Sequence, residues 1–356
     1  MLSWLALLGA AAALPPVLAA QYSLADSYQG AGFLSGFSHE DIPDPTHGRV
    51  NYLSQEDAIS RSLTIARDDS LIIRADSAAV LRAGGPGRDS VRLRSNKQYT
   101  THVTVWNIRH MPQGCGTWPA VWEVGANWPD LGEIDIVEGV NDQAPNHSAL
   151  HTGSGCTMPP VRMQTGTQTG GNNCDSRATG NTGCGVKDRR PNSFGPAFNR
   201  DGGGFYAMER APDGVRVWFW ARHDHVPADV LSGAAEVHTG NWGIPVASWP
   251  SARCDFSTHL GPHWIVINLT FCGDWAGQEG VYRSSGCPDT CISYVENNPD
   301  AFADAYFDVA WLKVYEPHVR PGNETVEEAP KSKHSIRMKM KHALKREVQQ
   351  LVSFVS

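Results

Sequence analysis

The sequence predicts an all-β fold, an antiparallel β-sandwich or jelly roll, on three observations. The 356 residues include 35 glycines and 23 prolines, which favours many short elements joined by turns. At least eight segments have the composition and alternation of strands. No helical crossover pattern separates them, so an antiparallel arrangement is expected. Apolar residues make up 41% of the chain, with 12 tryptophans, which excludes wholesale disorder.

The predicted strands are short, rich in β-branched and aromatic residues, and bounded by turn residues. In chain order they are Ser70–Asp76, Ser90–Arg94, His102–Trp106, Glu133–Val140, Phe205–Arg210, Val215–Arg222, His263–Phe271 and Phe307–Tyr315. Between two of them, the segment Ala211-Pro-Asp-Gly214 predicts a hairpin turn in which proline presets φ and glycine adopts positive φ. Trp218 and Trp220, within one of these strands, are assigned to packing.

The chain divides into three parts by composition. Residues 1–20 have no charged side chain and end in small residues, which predicts a secretory signal peptide and a secreted, extracellular protein. Residues 21–317 consist throughout of short alternating segments separated by Gly, Pro, Asn and Asp, which predicts a single folded domain. Residues 318–356 hold eight Lys or Arg against four Glu, with apolar residues at helical spacing. They predict a basic, amphipathic tail, either solvated or weakly associated with a membrane or cell wall.

The composition also limits the partners and the compartment. The overall net charge is −7, so the body outside the basic tail is acidic, which disfavours nucleic acid and suits a neutral polysaccharide. An even number of cysteines in a secreted chain predicts disulfides: Cys115, Cys156, Cys174, Cys184, Cys254, Cys272, Cys287 and Cys291. The pair at 287 and 291 lacks the second pair that a zinc site needs. Three sequons mark glycosylation candidates at Asn146, Asn268 and Asn323.

The gly-rich segment from Gly153 to Asn199 contains three of these cysteines. It offers few residues for a core, so disulfides are expected to hold it.

One predicted strand concentrates acidic residues among apolar ones. Glu133 and Asp135 are two residues apart and share a face of a strand. Glu138 would point to the opposite face of a regular strand, but one extra residue around Ile136 and Val137, a β-bulge, returns it to the same side. Three aligned carboxylates repel one another, so such an array indicates chemistry.

The array fits glycoside hydrolysis, which needs one ionised carboxylate and one protonated carboxyl group. Glu133 is predicted as the nucleophile, Glu138 as the acid/base, and Asp135 as the partner that shares a proton with the nucleophile. Two alternatives are a solvated acidic strand face and a calcium site. A single strand rarely supplies the six to eight oxygens that calcium takes, and neither a metal nor another cofactor is expected.

The motif Gly132-Glu-Ile-Asp-Ile-Val-Glu-Gly139, with Gly116-Thr-Trp-Pro-Ala-Val-Trp122 upstream, resembles the signature of glycoside hydrolase family 16. The likeness runs from about Tyr22 to Tyr315 and is strongest to the fungal endo-1,3(4)-β-glucanases, or laminarinases. It implies a concanavalin A-like β-jelly-roll sandwich with an open cleft on its concave sheet, and hydrolysis with retention of configuration. The bulged spacing is typical of laminarinase-like members rather than of lichenases or cell-wall transglycosylases.

The same resemblance implies the substrate-binding residues. Trp122 and Trp128 match tryptophans of the cleft, His151 matches a histidine facing the catalytic site, and Trp275 matches an aromatic residue on the acceptor side. Indole rings suit this role because sugar rings expose apolar C–H faces. Either Arg92 or Arg94 is expected to reach the cleft, and Arg92 is the candidate retained. His147 is discounted as a metal partner of His151, since a separation of four residues suits a helix and not a strand.

Two other functions remain open from the sequence. One is a non-catalytic, lectin-like domain that binds β-glucan, and the other is a transglycosylase that rejoins glucan chains. The balance among β-1,3, β-1,4 and β-1,6 linkages depends on loop shapes and is not set by these motifs. A monomer is expected, and removal of the chain after Pro317 should leave hydrolysis and thermal stability unchanged.

Overall fold

The short alternating segments form two antiparallel sheets that pack face to face, as the sequence predicts. The computed structural model describes residues 21–318. The predicted signal peptide, the tail beyond His318 and the sequon at Asn323 lie outside the described residues.

The strands, numbered along the chain, are β1 Gln21–Tyr28, β2 Phe37–His39, β3 Val50–Tyr52, β4 Thr64–Ala66, β5 Leu71–Arg74, β6 Arg88–Ser90, β7 Arg92–Tyr99, β8 His102–His110, β9 Thr117–Gly125, β10 Glu133–Glu138, β11 His147–His151, β12 Thr167–Thr169, β13 Gly185–Lys187, β14 Gly204–Ala211, β15 Gly214–Ala221, β16 Glu236–His238, β17 Ala247–Pro250, β18 His263–Phe271 and β19 Tyr306–Pro317.

The α-helices are all short: α1 Ala31–Gly36, α2 Gln55–Ser60, α3 Gly195–Arg200, α4 Ala228–Ser232, α5 Phe256–His259, α6 Gly273–Ala276, α7 Glu279–Ser284 and α8 Cys291–Asn297. Single 3₁₀ turns occur at Pro191–Ser193, Thr239–Asn241, Ser251–Arg253 and Pro299–Phe302. Within residues 21–318, no helix is long and apolar enough to cross a bilayer.

The two large sheets have nine and eight strands. The first runs in the order β16-β1-β19-β8-β14-β15-β17, with β5 also paired to β19 and β4 to β5. The second runs β12-β13-β11-β10-β9-β18-β7-β2. Every pairing within them is antiparallel, and the separate pair β3 and β6 is parallel. Strand β10, which carries the acidic motif, therefore lies near the middle of the second sheet.

The core lies between the sheets and draws on both. Trp106 and Met208 from the first sheet meet Val121, Ile134 and Ile265 from the second, all fully buried. Strand β14 is buried on both faces, because a second apolar cluster on the outer side of the first sheet packs against it. Trp218 and Trp220 belong to that outer cluster, which confirms that they are packing residues.

The predicted hairpin forms, but its glycine has a different role. Ala211 pairs with Gly214, so Pro212 and Asp213 form the turn between β14 and β15. Gly214 does not adopt positive φ, and that part of the prediction is wrong. A Cβ atom on Gly214 would lie 3.1 Å from the carbonyl oxygen of Trp249. The missing side chain therefore permits the close approach of β17.

Several strand boundaries differ from the sequence prediction. The segment Ser90–Arg94 is divided between β6 and β7, and β10 ends at Glu138 and not at Val140. Strands β9 and β11, which flank β10 on its two sides, were not predicted. Both contain Ala, Pro, Ser or His among their apolar residues, which weakens the alternation that identifies a strand.

All eight cysteines are paired, as predicted. The bonds join Cys115 to Cys287, Cys156 to Cys254, Cys174 to Cys184 and Cys272 to Cys291. Two of them hold the segment from Gly153 to Asn199, one by closing a loop within it and one by tying it to the body. The segment also contains β12, β13 and α3, so it is more ordered than a loop held by disulfides alone.

Candidate active site

The three carboxylates of β10 are aligned by a bulge at the predicted place. Asp135 pairs with Trp122 of β9 and Val137 pairs with Val121, so Ile136 has no partner on that side. Ile134, Ile136 and Val137 are fully buried. Because the bulge inserts one residue, the core receives two consecutive side chains and Glu138 returns to the face of Glu133 and Asp135. All three carboxylates line one cavity.

Side chains of the segment before and within β11 satisfy the backbone at the bulge. The Ile136 carbonyl oxygen accepts hydrogen bonds from Asn146 Nδ2 at 3.0 Å and from Ser148 Oγ at 2.9 Å. The Glu138 backbone N–H donates to Asn146 Oδ1 at 3.0 Å. These bonds replace the ladder bonds that the bulge interrupts. Asn146 thereby fixes the backbone of the residue that carries the third carboxylate.

The Asn146 and Asn268 side chains are not available to a glycan in this fold. Asn146 is 2% exposed and holds the bulge, and Asn268 is 6% exposed. Asn268 accepts a hydrogen bond from Trp122 Nε1 and donates one to the Tyr52 hydroxyl. Since N-glycosylation needs an exposed amide nitrogen on a surface loop, these two predicted candidates are wrong for the folded chain.

Asp135 and Glu133 share their side of the cavity with a histidine. His151 Nε2 lies 3.2 Å from Asp135 Oδ2, and His151 Nδ1 lies 3.3 Å from the Ser176 hydroxyl. One ligand-type atom from each of Glu133, Asp135 and His151 lies within 4.8 Å of the other two. These three groups have the spacing to hold a metal ion, but they supply only three donors. The same proximity lets the two carboxyl groups share a proton.

Burial and mutual repulsion shift the titration of this pair. Burial is the main cause that raises the pKa of Glu133 to about 8, Asp135 adds to it, and His151 opposes it. The pKa of Asp135 is also well above its usual range, because the group is buried and faces Glu138. At neutral pH the array therefore retains protons and does not carry three full charges.

A stability prediction follows from the raised pKa of Glu133. An exposed glutamate has a pKa of about 4.3. Between that pH and the pKa of Glu133, about 8, the native state binds a proton that the unfolded chain has lost. That contribution to stability is complete below about pH 4 and is lost as the pH rises through 8. We expect Glu133→Gln, which stays neutral, to raise the melting temperature by several degrees at pH 8 and not at pH 4. Calorimetry at both pH values checks this, and an equal gain at both would contradict it.

Glu138 occupies a different environment at the other end of the strand. Its Oε1 accepts a hydrogen bond from the Trp118 indole N–H at 3.0 Å. Its Oε2 lies 3.9 Å from His147 Nδ1. The Trp118 ring packs edge-on against Trp275, with 5.7 Å between centroids. One oxygen of Glu138 is thus held by a donor, and the other remains free to carry a proton.

The cavity over the carboxylates has a volume of about 1000 Å³. Trp122, Trp128, Trp275, His151 and Arg92, the predicted substrate-binding residues, all line it. Trp128 is 45% exposed, so its indole offers an apolar surface to a ligand. The lining also includes Thr169 at the end of β12 and Gly170, together with residues 180–182 of the loop closed by the Cys174–Cys184 disulfide.

The structure distinguishes the two candidate arginines. Arg92 lines the cavity and lies over the Trp122 ring, 4.9 Å from its centroid, whereas Arg94 lies over Trp264. Glu40 binds both guanidinium groups, at 2.7 and 2.8 Å. Because the guanidinium covers the Trp122 ring and Asn268 binds its nitrogen, Trp122 is held rigidly at the cleft floor.

Three residues of the site were missed or set aside by the sequence analysis. Trp118 lies in the quoted upstream motif, but only its place opposite the end of β10 shows that it reaches Glu138. Asn146 was considered only as a sequon. His147 is weighed only as a metal partner of His151, and its place beside Glu138 is not predicted; residues four apart on a strand share a face but lie ~13 Å apart. The two histidines of β11 therefore serve different ends of the array.

The chain is similar to known proteins over most of its length. A family model for the XgeA-like catalytic domain of glycoside hydrolase family 16 matches residues 37–315. The chain belongs to glycoside hydrolase family 16. An Arthroderma benhamiae relative named endo-1,3(4)-β-glucanase is 40% identical over 326 residues, covering 89% of this chain and 69% of the relative. An Aspergillus clavatus relative at 39% identity is longer, and this chain spans 48% of its length.

Solved structures of family 16 share the fold. Laminarinase 16A from Phanerochaete chrysosporium is 55% identical, covers 83% of this chain and 100% of its own, and has a TM-score of 0.82. That structure holds two 6-O-glucosyl-laminaritriose β-glucans, in its donor and acceptor sites. An elongating family 16 β-1,3-glucosyltransferase is 38% identical, with a TM-score of 0.77, covering 83% of this chain and 99% of its own. The family 16 prediction and the jelly-roll prediction are confirmed.

Proposed function

We propose that this chain is a retaining endo-β-glucanase that hydrolyses β-1,3-glucans and mixed β-1,3/1,4-glucans. The observation that carries the proposal is the alignment of Glu133, Asp135 and Glu138 along one face of β10 in a cavity with tryptophan walls. The enzyme named endo-1,3(4)-β-glucanase and the laminarinase at 55% identity support the substrate class.

In the first step, a Glu133 carboxylate oxygen attacks the anomeric carbon as the glycosidic bond breaks. Glu138 gives its proton to the departing glycosidic oxygen. Glu133 must be ionised for this step. Its raised pKa would otherwise keep it protonated, and Asp135 takes up that proton. His151, 3.2 Å from Asp135, orients that carboxyl group. Trp118 holds Glu138 Oε1, which leaves Oε2 as the proton donor.

In the second step, water attacks the anomeric carbon of the glycosyl-enzyme. Glu138, now a carboxylate, takes a proton from that water, and the bond to Glu133 breaks. Glu138 regains its proton and Glu133 its charge, so the cycle balances. Two displacements at one carbon return the original configuration. The direct test is proton NMR of the anomeric signal during laminarin hydrolysis, in which the β-anomer should appear first.

Substrate range is tested by products from laminarin, lichenan and barley glucan, compared side by side by chromatography. An endo-acting enzyme releases a ladder of intermediate oligosaccharides early in the reaction. Accumulation of glucose alone, or no cleavage of any of the three glucans, would overturn the proposal.

Transglycosylation is the second candidate, and the elongating glucosyltransferase at 38% identity favours it. A sugar hydroxyl would replace water in the second step, with the same proton transfer to Glu138. Products longer than the input oligosaccharide, seen by mass spectrometry at high substrate concentration, would show it. The intact carboxylate array disfavours the lectin-like alternative.

We expect Asp135→Asn to move the pH dependence of activity. Asparagine removes the negative charge that helps to raise the pKa of Glu133, so the acidic limb of kcat/KM should shift to lower pH by about one unit. The maximal rate should fall because asparagine cannot share the proton, but less than in either glutamate variant. Asp300→Asn, at an exposed site outside the cavity lining, is the control. An unchanged acidic limb would exclude the proton-sharing role.

We also propose that the protein is secreted, on the apolar N-terminal segment and the four disulfides. Oxidising compartments are where such bonds form and persist. N-terminal sequencing of the protein from culture medium should begin close to Gln21.

A further inference from the structure

His147 faces the second carboxylate oxygen of the acid/base from the neighbouring strand. Glu133 pairs with His151 and Asp135 with Ala149 in the antiparallel register of β10 and β11. Continuing that register brings His147 opposite Val137 at the bulge, next to Glu138. The result is 3.9 Å between His147 Nδ1 and Glu138 Oε2. Each end of the carboxylate array thus has its own imidazole.

The His147 ring is fixed in this position by its surroundings. Its Nε2 lies 2.8 Å from the Thr169 hydroxyl of β12. The Trp275 ring packs against it, with 5.9 Å between centroids. A Cβ atom on Gly185 of β13 would lie 2.4 Å from His147 Nε2, so the glycine makes room for the ring. The His147 and Glu138 side chains are only 16% and 14% exposed.

The other ring nitrogen is buried and unpaired. Among the described residues, His147 Nδ1 has no hydrogen-bond partner, although Glu138 Oε2 is the carboxylate oxygen it faces. A charged N–H···O⁻ pair typically closes to about 2.7–2.9 Å, which this distance does not reach. An uncharged ring with its proton on Nε2, donated to Thr169, places a lone pair on Nδ1. Hydrogen bonds of catalytic groups are often long in unliganded sites and tighten with substrate.

We propose that His147 is a positioning residue whose uncharged Nδ1 accepts a hydrogen bond from the proton on Glu138 Oε2. The proposal rests on the acid/base role assigned to Glu138 above. Trp118 favours the carboxylate through Oε1, and His147 favours the protonated acid through Oε2. Glu138 gives this proton to the glycosidic oxygen in the first step and regains it from water in the second. His147 keeps its own proton throughout.

Other charged groups reach the same region and must be separated from His147. Asp135 and Glu133 lie on the same strand as Glu138 and add negative charge. Asp274 lines the same cavity from α6, but its carboxylate is 2.9 Å from His47 Nδ1. Lys187 of β13 is the register partner of His147 and is exposed. None of these groups changes in a variant at position 147, so a shift there reports on the imidazole.

The test is a direct titration of the Glu138 carboxyl group by carbon-13 NMR in the free enzyme. Its signal is assigned by its loss in Glu138→Gln. In His147→Phe, which keeps a ring but has no acceptor, the pKa of Glu138 should fall by about half to one unit. In His147→Asn, whose Oδ1 can stand near the Nδ1 position, it should stay within a few tenths of the wild-type value. His110→Phe, stacked on Tyr306 on the other sheet, should not change it.

A rise in the pKa of Glu138 in His147→Phe would show a cationic imidazole and overturn the proposal, as would no change. A shift in His147→Asn equal to that in His147→Phe would also overturn it. Thr169→Val, which removes the partner that orients Nε2–H, should lower the pKa in the same direction by a smaller amount. This variant gives an answer even where His147→Phe does not fold, and an unshifted value there counts against the proposal.

Activity gives a second readout. The alkaline limb of kcat/KM on laminarin should move to lower pH in His147→Phe by the shift that NMR measures. With a dinitrophenyl β-glycoside, whose leaving group needs no proton, the limb should not move. Because the NMR titration requires no turnover, a wild-type enzyme that cleaves no glucan would overturn the proposed function and leave the pairing of His147 with Glu138 separately tested.

Discussion

Glu133→Gln and Glu138→Gln should each lower kcat/KM on laminarin by about a thousandfold or more. A thousandfold loss corresponds to about 4 kcal/mol of barrier, within the range expected for removing a covalent nucleophile or an acid/base. Both substitutions keep the side-chain shape, and neither introduces a charge into the cavity. Glu56→Gln, on the exposed surface of α2, is the matched control and should retain full activity.

Azide separates the two roles. In Glu138→Ala, the glycosyl-enzyme forms with an activated substrate, and azide attacks it to give a β-glycosyl azide. In Glu133→Ala, azide replaces the missing carboxylate and gives an α-glycosyl azide directly. Carbon-13 NMR of the products identifies the anomer. If the α product came from Glu138→Ala, the two roles would be reversed, and near-normal turnover in both variants would remove the array from the mechanism.

Removal of the Cys115–Cys287 disulfide should cause the largest loss of stability of any single bond. It joins residues 172 positions apart, and the chain-entropy model predicts about 4 kcal/mol for long loops, even when other disulfides shorten them. It also tethers the start of β9 to the segment after α7, beside the bond that joins Cys272, just before α6, to Cys291, the first residue of α8. Cys115→Ala/Cys287→Ala should therefore lower the midpoint of urea unfolding and loosen the cleft wall that contains Trp275.

The matched comparison is Cys174→Ala/Cys184→Ala. That bond closes only 10 residues, so its loss should cost less, roughly 3 kcal/mol or below. Its effect should instead fall on substrate binding, because the loop it closes forms the rim at residues 180–182. Equal losses for the two pairs would show that strain or unfolded-state structure outweighs loop length.

The sequence was most informative where a local rule had one structural solution. The spacing of Glu133, Asp135 and Glu138 required a bulge, because the buried residues between them allow no other way to place all three on one face. The eight cysteines likewise implied pairing. Neither inference depends on which strands are neighbours in the sheet.

The sequence was least informative where the function of a residue depends on strand neighbours. Asn146 matches a sequon, and only the pairing of β10 with β11 shows that its amide completes the bulge. Trp118 reaches Glu138 because β9 lies on the other side of β10. Gly214 suggested a positive φ, but the approach of β17 is what excludes a side chain there. In each case the deciding contact joins residues that are distant in sequence, and the local sequence pattern does not indicate such a contact.

The bulge at Ile136 also has a mechanical consequence for the strand that carries it. Side chains alternate between the cavity face and the core face up to Asp135, and the alternation resumes one position out of phase after the bulge. The two halves of β10 are therefore out of phase with each other, and a change of register against β9 would disturb both. A shift of register by one residue would turn Glu133 and Asp135 into the apolar core. It would also remove Ile136 and Val137 from the positions in which they are buried. The strand therefore has a single stable setting against its neighbours. We expect insertions or deletions to be accepted in the loops at either end of β10 and nowhere between Glu133 and Glu138.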